Sequence, residues 1–229
     1  MSKQPPKRIT GKDNFSYLLL SLILLLFSSA CVEQFFARTA LGQSLVLGMT
    51  VVTMSIGVLS VKSSSFAFKS GLLLVLGTGV TAFLVHVLDF IGLSYLHLIF
   101  MLLFYIITLK EAAKQALFSG SITKNNIIGS ICIYLLLGLI WATLYLLLME
   151  FIPSSFNGLN GTQWQDHFPN LIYFSYVTLT TSGFGDLLAT TPLSRFLVYM
   201  ESIIGTFYMA IAVSSLVGSA INNRTNHVL

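Results

Sequence analysis

The sequence predicts an all-α membrane protein with six transmembrane helices and a re-entrant helix-and-strand segment between the fifth and the sixth. Three observations carry that prediction. Apolar residue types make up 55% of the chain against 9% charged, with a mean hydropathy of +0.85, whereas soluble domains run near a quarter charged. Apolar runs of about 20 residues, the length a helix needs to cross a bilayer, recur along the chain. The stretch between the last two runs is apolar over too short a span to cross, and it ends in Thr180-Thr181-Ser182-Gly183-Phe184-Gly185-Asp186. No alternating pattern suggests a barrel, the other spanning structure that satisfies its own backbone in lipid.

In chain order, the first run extends from Phe15 to Phe36. Lys7, Arg8 and Lys12 precede it as in a signal peptide, but Ser28-Ser29-Ala30-Cys31 lacks the usual Leu three residues before the cysteine. The run also stays apolar through Phe36, so it reads as a span rather than a cleaved leader. The second run is Leu45 to Val61 and the third Leu72 to Ile91. One helix from Leu72 to Leu109 would be nearly two membrane thicknesses long, so a tight Ile91-Gly92 turn is expected, with Leu93 to Leu109 as the fourth span. Lys110 to Phe118 is helix-prone but too short to cross, and is expected to lie along the membrane surface with its lysines toward lipid headgroups. The fifth and sixth spans are Ile127 to Ile152 and Pro192 to Val217. The chain thus divides into residues 1–124, four spans plus the interfacial linker, and residues 125–229, two spans and the segment between them.

Orientation follows from the 12 basic residues. Lys3, Lys7, Arg8, Lys12, Lys62, Lys69, Lys110, Lys114, Lys124 and Arg224 fall on one side of the predicted topology, leaving Arg38 and Arg195 on the other. The rich side is the cytoplasmic one, so both termini are expected inside a multi-pass cell-membrane protein. The net charge of +4 is spread between apolar runs and forms no patch for nucleic acid. No metal-ligating cluster or nucleophile–base pair stands out, which leaves an enzyme reading, or one with a resident cofactor, without support. Cys31 and Cys132 fall at opposite ends of their spans, roughly 20 Å apart along the membrane normal, too far for a disulfide. Asn160-Gly161-Thr162 fits a glycosylation sequon, meaningful only in a eukaryotic secretory pathway.

Phe151 to Pro192 is where the chemistry concentrates. It opens polar, with Asn157, Asn160, Gln163 and Gln165, turns apolar from Leu171 to Leu179, and closes on the glycine-alternating strand. Irregular backbone is tolerated at membrane depth only where it lines a watery cavity or is buried in protein. A dehydrated cation needs several oxygen ligands, and successive carbonyls face one side only if the backbone alternates between right- and left-handed regions. Gly183 and Gly185 allow φ > 0 at little cost, and the Thr181 hydroxyl adds one more oxygen. Four such strands around an axis would stack oxygen rings that replace the ion's water shell. The short helix ahead of them would aim the negative end of its dipole at the axis.

These residues resemble the pore domain of the potassium-channel superfamily, whose signature is TVGYG. The resemblance rests on YFSYVTLTTSGFGD at Tyr173–Asp186 and TPLSRFLVYMESIIGTFYMAIAVSSLVG at Thr191–Gly218, and is closest to small prokaryotic members. It implies a homotetrameric channel in membrane lipid that passes potassium as its permeant ligand. Potassium would be held by Thr181, Ser182, Gly183 and Phe184, within a selectivity filter formed by Thr181 to Gly185. Asp186 would hydrogen-bond behind that filter at the outer mouth. Three departures stand out. Phe184 replaces the commoner Tyr, Ser182 replaces a Val, and Val177 stands where some members carry a Glu for the outer Asp, which leaves Tyr173 as the candidate partner of Asp186. A weakly selective cation channel and a non-conducting partner subunit remain as alternatives.

In the sixth span, Gly205 is expected either to bend the helix, as relatives do on opening, or to permit close helix packing. Thr206, Ala210 and Ser214 recur every fourth residue, as suits either a water-filled cavity or packing on the fifth helix. Glu201 is expected to face the back of the filter, because an acid facing lipid is costly. Residues Leu93 to Leu109 contain no Arg or Lys, which argues against a voltage sensor. His86 and Asp89 share a helix face and His97 lies in the fourth span; a satisfied buried pair or a proton sensor would both use them.

Overall fold

The computed structural model describes residues 14–36, 39–60, 65–88, 91–117, 124–161 and 163–225. The expectations on Asp89, the side chain of His86, Thr162 of the sequon, Phe118, Arg38, Lys62 and the basic residues before Asn14 lie outside the described residues or side chains.

Among the described residues, seven α-helices follow one another: α1 Asn14–Phe36, α2 Ala40–Ser60, α3 Ser65–Leu88, α4 Ile91–Leu117, α5 Lys124–Phe151, α6 Trp164–Leu179 and α7 Pro192–Thr225. All but α6 are long and apolar enough to cross a membrane. The 16 residues of α6 reach only about 24 Å, short of a hydrocarbon core of about 30 Å. Two short strands, β1 Phe156–Asn157 and β2 Leu188–Ala189, pair antiparallel and tie the segment after α5 to the segment before α7.

The fold is built around α5. It packs against α1, α4, α6 and α7 and buries Leu136, Leu139, Trp141, Tyr145 and Leu146 among them. In the front bundle, α1 packs on α2, α2 on α3 and α3 on α4. Phe15, Leu18, Leu22 and Leu25, recurring at helical spacing, form the buried face of α1. Cys31 and Cys132 are both free thiols; Cys132 is buried and lies 3.5 Å from the Phe15 carbonyl.

Several boundaries differ from the expectations; α3, for one, starts at Ser65 rather than Leu72. Helix α2 starts at Ala40 rather than Leu45, because the Thr39 hydroxyl accepts the Gly42 N–H at 3.0 Å and caps a polar first turn. Helix α3 ends at Leu88 and α4 starts at Ile91, so Gly92 is already helical rather than part of a turn. The predicted interfacial helix is a straight continuation of α4 as far as Leu117. No Gly or Pro interrupts that stretch, Ala112 and Ala116 are buried, and Asn126 of α5 donates to the Ala116 carbonyl at 3.0 Å. The exposed Lys114 there pairs with the buried Glu111 at 2.8 Å.

Candidate functional site

Helix α6 begins seven residues before the apolar run that announced it. Asp166, in its first turn, reaches back to the Gln163 N–H at 3.4 Å, so a polar cap rather than apolar content sets the start. The front bundle holds this end. Gln43 of α2 donates to Asp166 at 3.1 Å, and Asn170 donates to Glu33 of α1 at 3.0 Å. His97 of α4, with Thr81 Oγ1 3.0 Å from its Nδ1, stacks on Trp164 at 5.2 Å between ring centroids. His97 is thus a buried packing residue beside the start of α6. Burial pushes the His167 imidazole below its ordinary 6.5, against the opposing pull of Asp166 and Glu33.

The other end of α6 runs straight into the glycine-alternating strand. The N–H groups of Thr180, Thr181 and Ser182 fold back onto the carbonyls of Tyr176, Thr178 and Val177, at 3.0, 2.9 and 2.9 Å. Backbone donors are therefore spent on closing the helix. No hydrogen bond to the carbonyls of residues 181–185 is found among the described residues. Positive φ falls on every second residue: 58° at Thr181, 54° at Gly183 and 81° at Gly185. Thr181 was not foreseen in this role, since a β-branched residue at φ > 0 is a genuine outlier and nothing in its own sequence signals it.

The strand from Thr181 to Asp186 is exposed within its own chain, Phe184 to 72%. Thr180 Oγ1 donates to the Tyr176 carbonyl at 2.7 Å, so at the 3.0 Å contact between the two hydroxyls Ser182 is the donor. Asp186 accepts the Leu187 N–H at 3.1 Å. Its carboxylate also takes a hydrogen bond from Tyr173, which pushes that phenol up. The chain beyond the strand is then clamped: Thr190 N donates to the Ser155 carbonyl at 3.0 Å, and Arg195 Nε to the Ala189 carbonyl at 3.2 Å.

Helix α7 covers the end of α6. It runs unbroken through Gly205, where a Cβ would stand 2.4 Å from the Leu179 carbonyl oxygen. This glycine permits the close approach of α7 to α6. Thr206, Ala210 and Ser214 all lie on an exposed face, so they are not packed on α5. Glu201 is fully buried and is bonded by the Tyr145 hydroxyl of α5 and, at 2.5 Å, by the Ser175 hydroxyl of α6. Tyr145 and Ser175 were not singled out from sequence: they stand 56 and 26 residues from Glu201, and only the packing of three helices joins them.

Residues 131–221, from α5 to α7, match the family model described as ion channel. No curated protein and no solved structure gives a significant match to the chain. The matched stretch holds the spanning helix α5, the short helix α6, the strand of alternating φ and the spanning helix α7. The chain is therefore a multi-pass membrane protein whose residues 131–221 are similar to the ion-channel family.

Proposed function

We propose that four copies of the chain form a channel that conducts potassium passively, with the backbone of Thr181 to Gly185 as its selectivity filter. The observation that carries this reading is the alternation of positive φ at 58°, 54° and 81° on residues 181, 183 and 185. Alternation of that kind lets successive carbonyls share one side, and their lack of donors among the described residues leaves them available to a cation. Each chain supplies one such strand, and a ring of oxygens around an axis needs several, hence the fourfold homotetramer. Thr181, Ser182, Gly183 and Phe184 would hold potassium, Asp186 and Tyr173 would brace the outer mouth, and Thr206, Ala210 and Ser214 would line the cavity below. The exposed apolar side chains Phe196, Tyr199, Ile203 and Phe207 of α7 would meet neighbouring copies and lipid.

Residues 125–229 would be the conducting unit, and residues 1–124 a bundle that holds the pore helix without sensing voltage. Both termini would face the cytoplasm of a cell membrane. The reading calls on no resident cofactor and no nucleic acid. A weakly selective cation pore is favoured by one feature: the Ser182 hydroxyl is spent on Thr180 and Phe184 has none, so neither side chain braces the strand from within its own chain. Reversal potentials in mixed potassium and sodium separate the two. A shift that follows the potassium gradient alone supports the first reading, and a value near zero in equal opposed gradients supports the second.

A further inference from the structure

The hydroxyl of Ser175 makes two contacts with a single proton. Its oxygen lies 2.8 Å from the Gly138 carbonyl and 2.5 Å from Glu201 Oε1. A carbonyl can only accept, and so can an ionised carboxylate. Were Glu201 ionised, one of those contacts would set oxygen against oxygen with no hydrogen between them. A protonated Glu201 removes the conflict: Oε1–H donates to Ser175 Oγ, Ser175 donates to the Gly138 carbonyl, and Tyr145 donates to Oε2. Every donor and acceptor in the chain of bonds is then used once.

The surroundings agree. Glu201 is completely buried, and the only ion pair among the described residues is Lys114–Glu111, far along the chain. The titratable groups that face it are phenols: Tyr145 and Tyr134 from α5 and Tyr176 from α6. Among the described residues no cation offsets the cost of a buried carboxylate at membrane depth. The contacts also lead directly to the strand. One turn beyond Ser175 come the Thr178 carbonyl, 3.4 Å from Ser202 Oγ, and the Leu179 carbonyl against Gly205.

We propose that Glu201 is held as the neutral carboxylic acid, and that its proton fixes α7 to α6 behind residues 180–186, making it a positioning residue for ion passage. The role in ion passage rests on the channel reading above; the protonation state does not. Infrared spectra of the purified wild-type protein at neutral pH test it first. The expected result is the carbonyl stretch of a protonated carboxylic acid, absent in Glu201→Gln and shifted in Ser175→Ala, which takes away the acceptor. Potassium flux from liposomes tests the second half. Glu201→Gln keeps a donor and an acceptor in the same shape and should retain flux within about twofold, while Glu201→Ala, which orphans the Tyr145 hydroxyl and takes from Ser175 its link to α7, should lose about tenfold or more. A wild-type spectrum without the protonated band overturns the proposal whatever the variants do. So does a Glu201→Gln protein that folds but conducts as poorly as Glu201→Ala. If wild type itself passes no ions, the channel reading fails while the infrared band still decides the proton.

Discussion

Replacing Gly205 by alanine tests how α7 meets α6. The added Cβ would stand 2.4 Å from the Leu179 carbonyl oxygen, 3.0 Å from its Cδ1 and 3.2 Å from its carbonyl carbon. Two of those three atoms are backbone, so no rotamer change relieves the contact, and the helices must part by several tenths of an ångström or more. Overpacking of this kind costs about 1–3 kcal/mol, or a few degrees of melting temperature per kcal/mol for a chain of this size. The strain falls on the last residue of α6, directly ahead of Thr180, so ion passage should suffer with stability. Gly79→Ala is the control, because nothing lies within 4 Å of its Cβ and helix propensity gains by up to about 1 kcal/mol. The assay is thermal melting in detergent beside flux from liposomes. A Gly205→Ala protein that melts and conducts like the Gly79→Ala control would refute the close-approach argument and restore the glycine to a bending role.

Gly183→Ala and Gly185→Ala should each strain a left-handed residue by about 1–2 kcal/mol in every copy, abolishing selectivity or conduction while leaving assembly intact by mass measurement in detergent; no Cβ clash contributes within the chain, since nothing lies within 4 Å. Ser182→Val frees the Thr180 hydroxyl and should keep or sharpen the preference for potassium, as read by bi-ionic reversal potentials. Asn170→Ala combined with Gln43→Ala removes both hydrogen bonds from the front bundle to α6 and should lower stability by about 1–3 kcal/mol, seen in melting curves. His167 binds its proton less readily folded than its ordinary 6.5, so the unfolded chain takes up more protons as pH falls through 6.5, and stability should drop on acidification, less so in His167→Gln. Open probability should vary only weakly between about −100 and +100 mV, because Leu93 to Leu109 of α4 contains no Arg or Lys; a steep curve without blocking ions would contradict this.

Much of this architecture is legible in the chain. Six apolar runs gave six helices because a membrane demands length and apolarity, and both are written locally. Gly183 and Gly185 announced their positive φ for the same reason, since only glycine adopts it cheaply. What was not legible depends on partners distant in sequence. The start of α6 is set by Asp166 and by Gln43, 123 residues away, and not by the apolar run at Leu171. The continuation of α4 through Leu117 depends on burial of Ala112 and Ala116 beside α5, which no local pattern shows. Thr181 takes a conformation its side chain disfavours, as strained positions at functional sites do. The close approach of Gly205 to Leu179, 26 residues earlier, is likewise a contact no local pattern shows.

The central claim is that residues 181–185 make a potassium-selective path. The most direct test is the reversal potential of the purified protein reconstituted alone in lipid, with potassium on one side and sodium on the other, for wild type and Gly185→Ala in parallel. The account predicts a strongly potassium-selective reversal for wild type and its loss, or loss of current, in the variant. Equal permeability of the two ions in wild type, or unchanged selectivity in the variant, would contradict it.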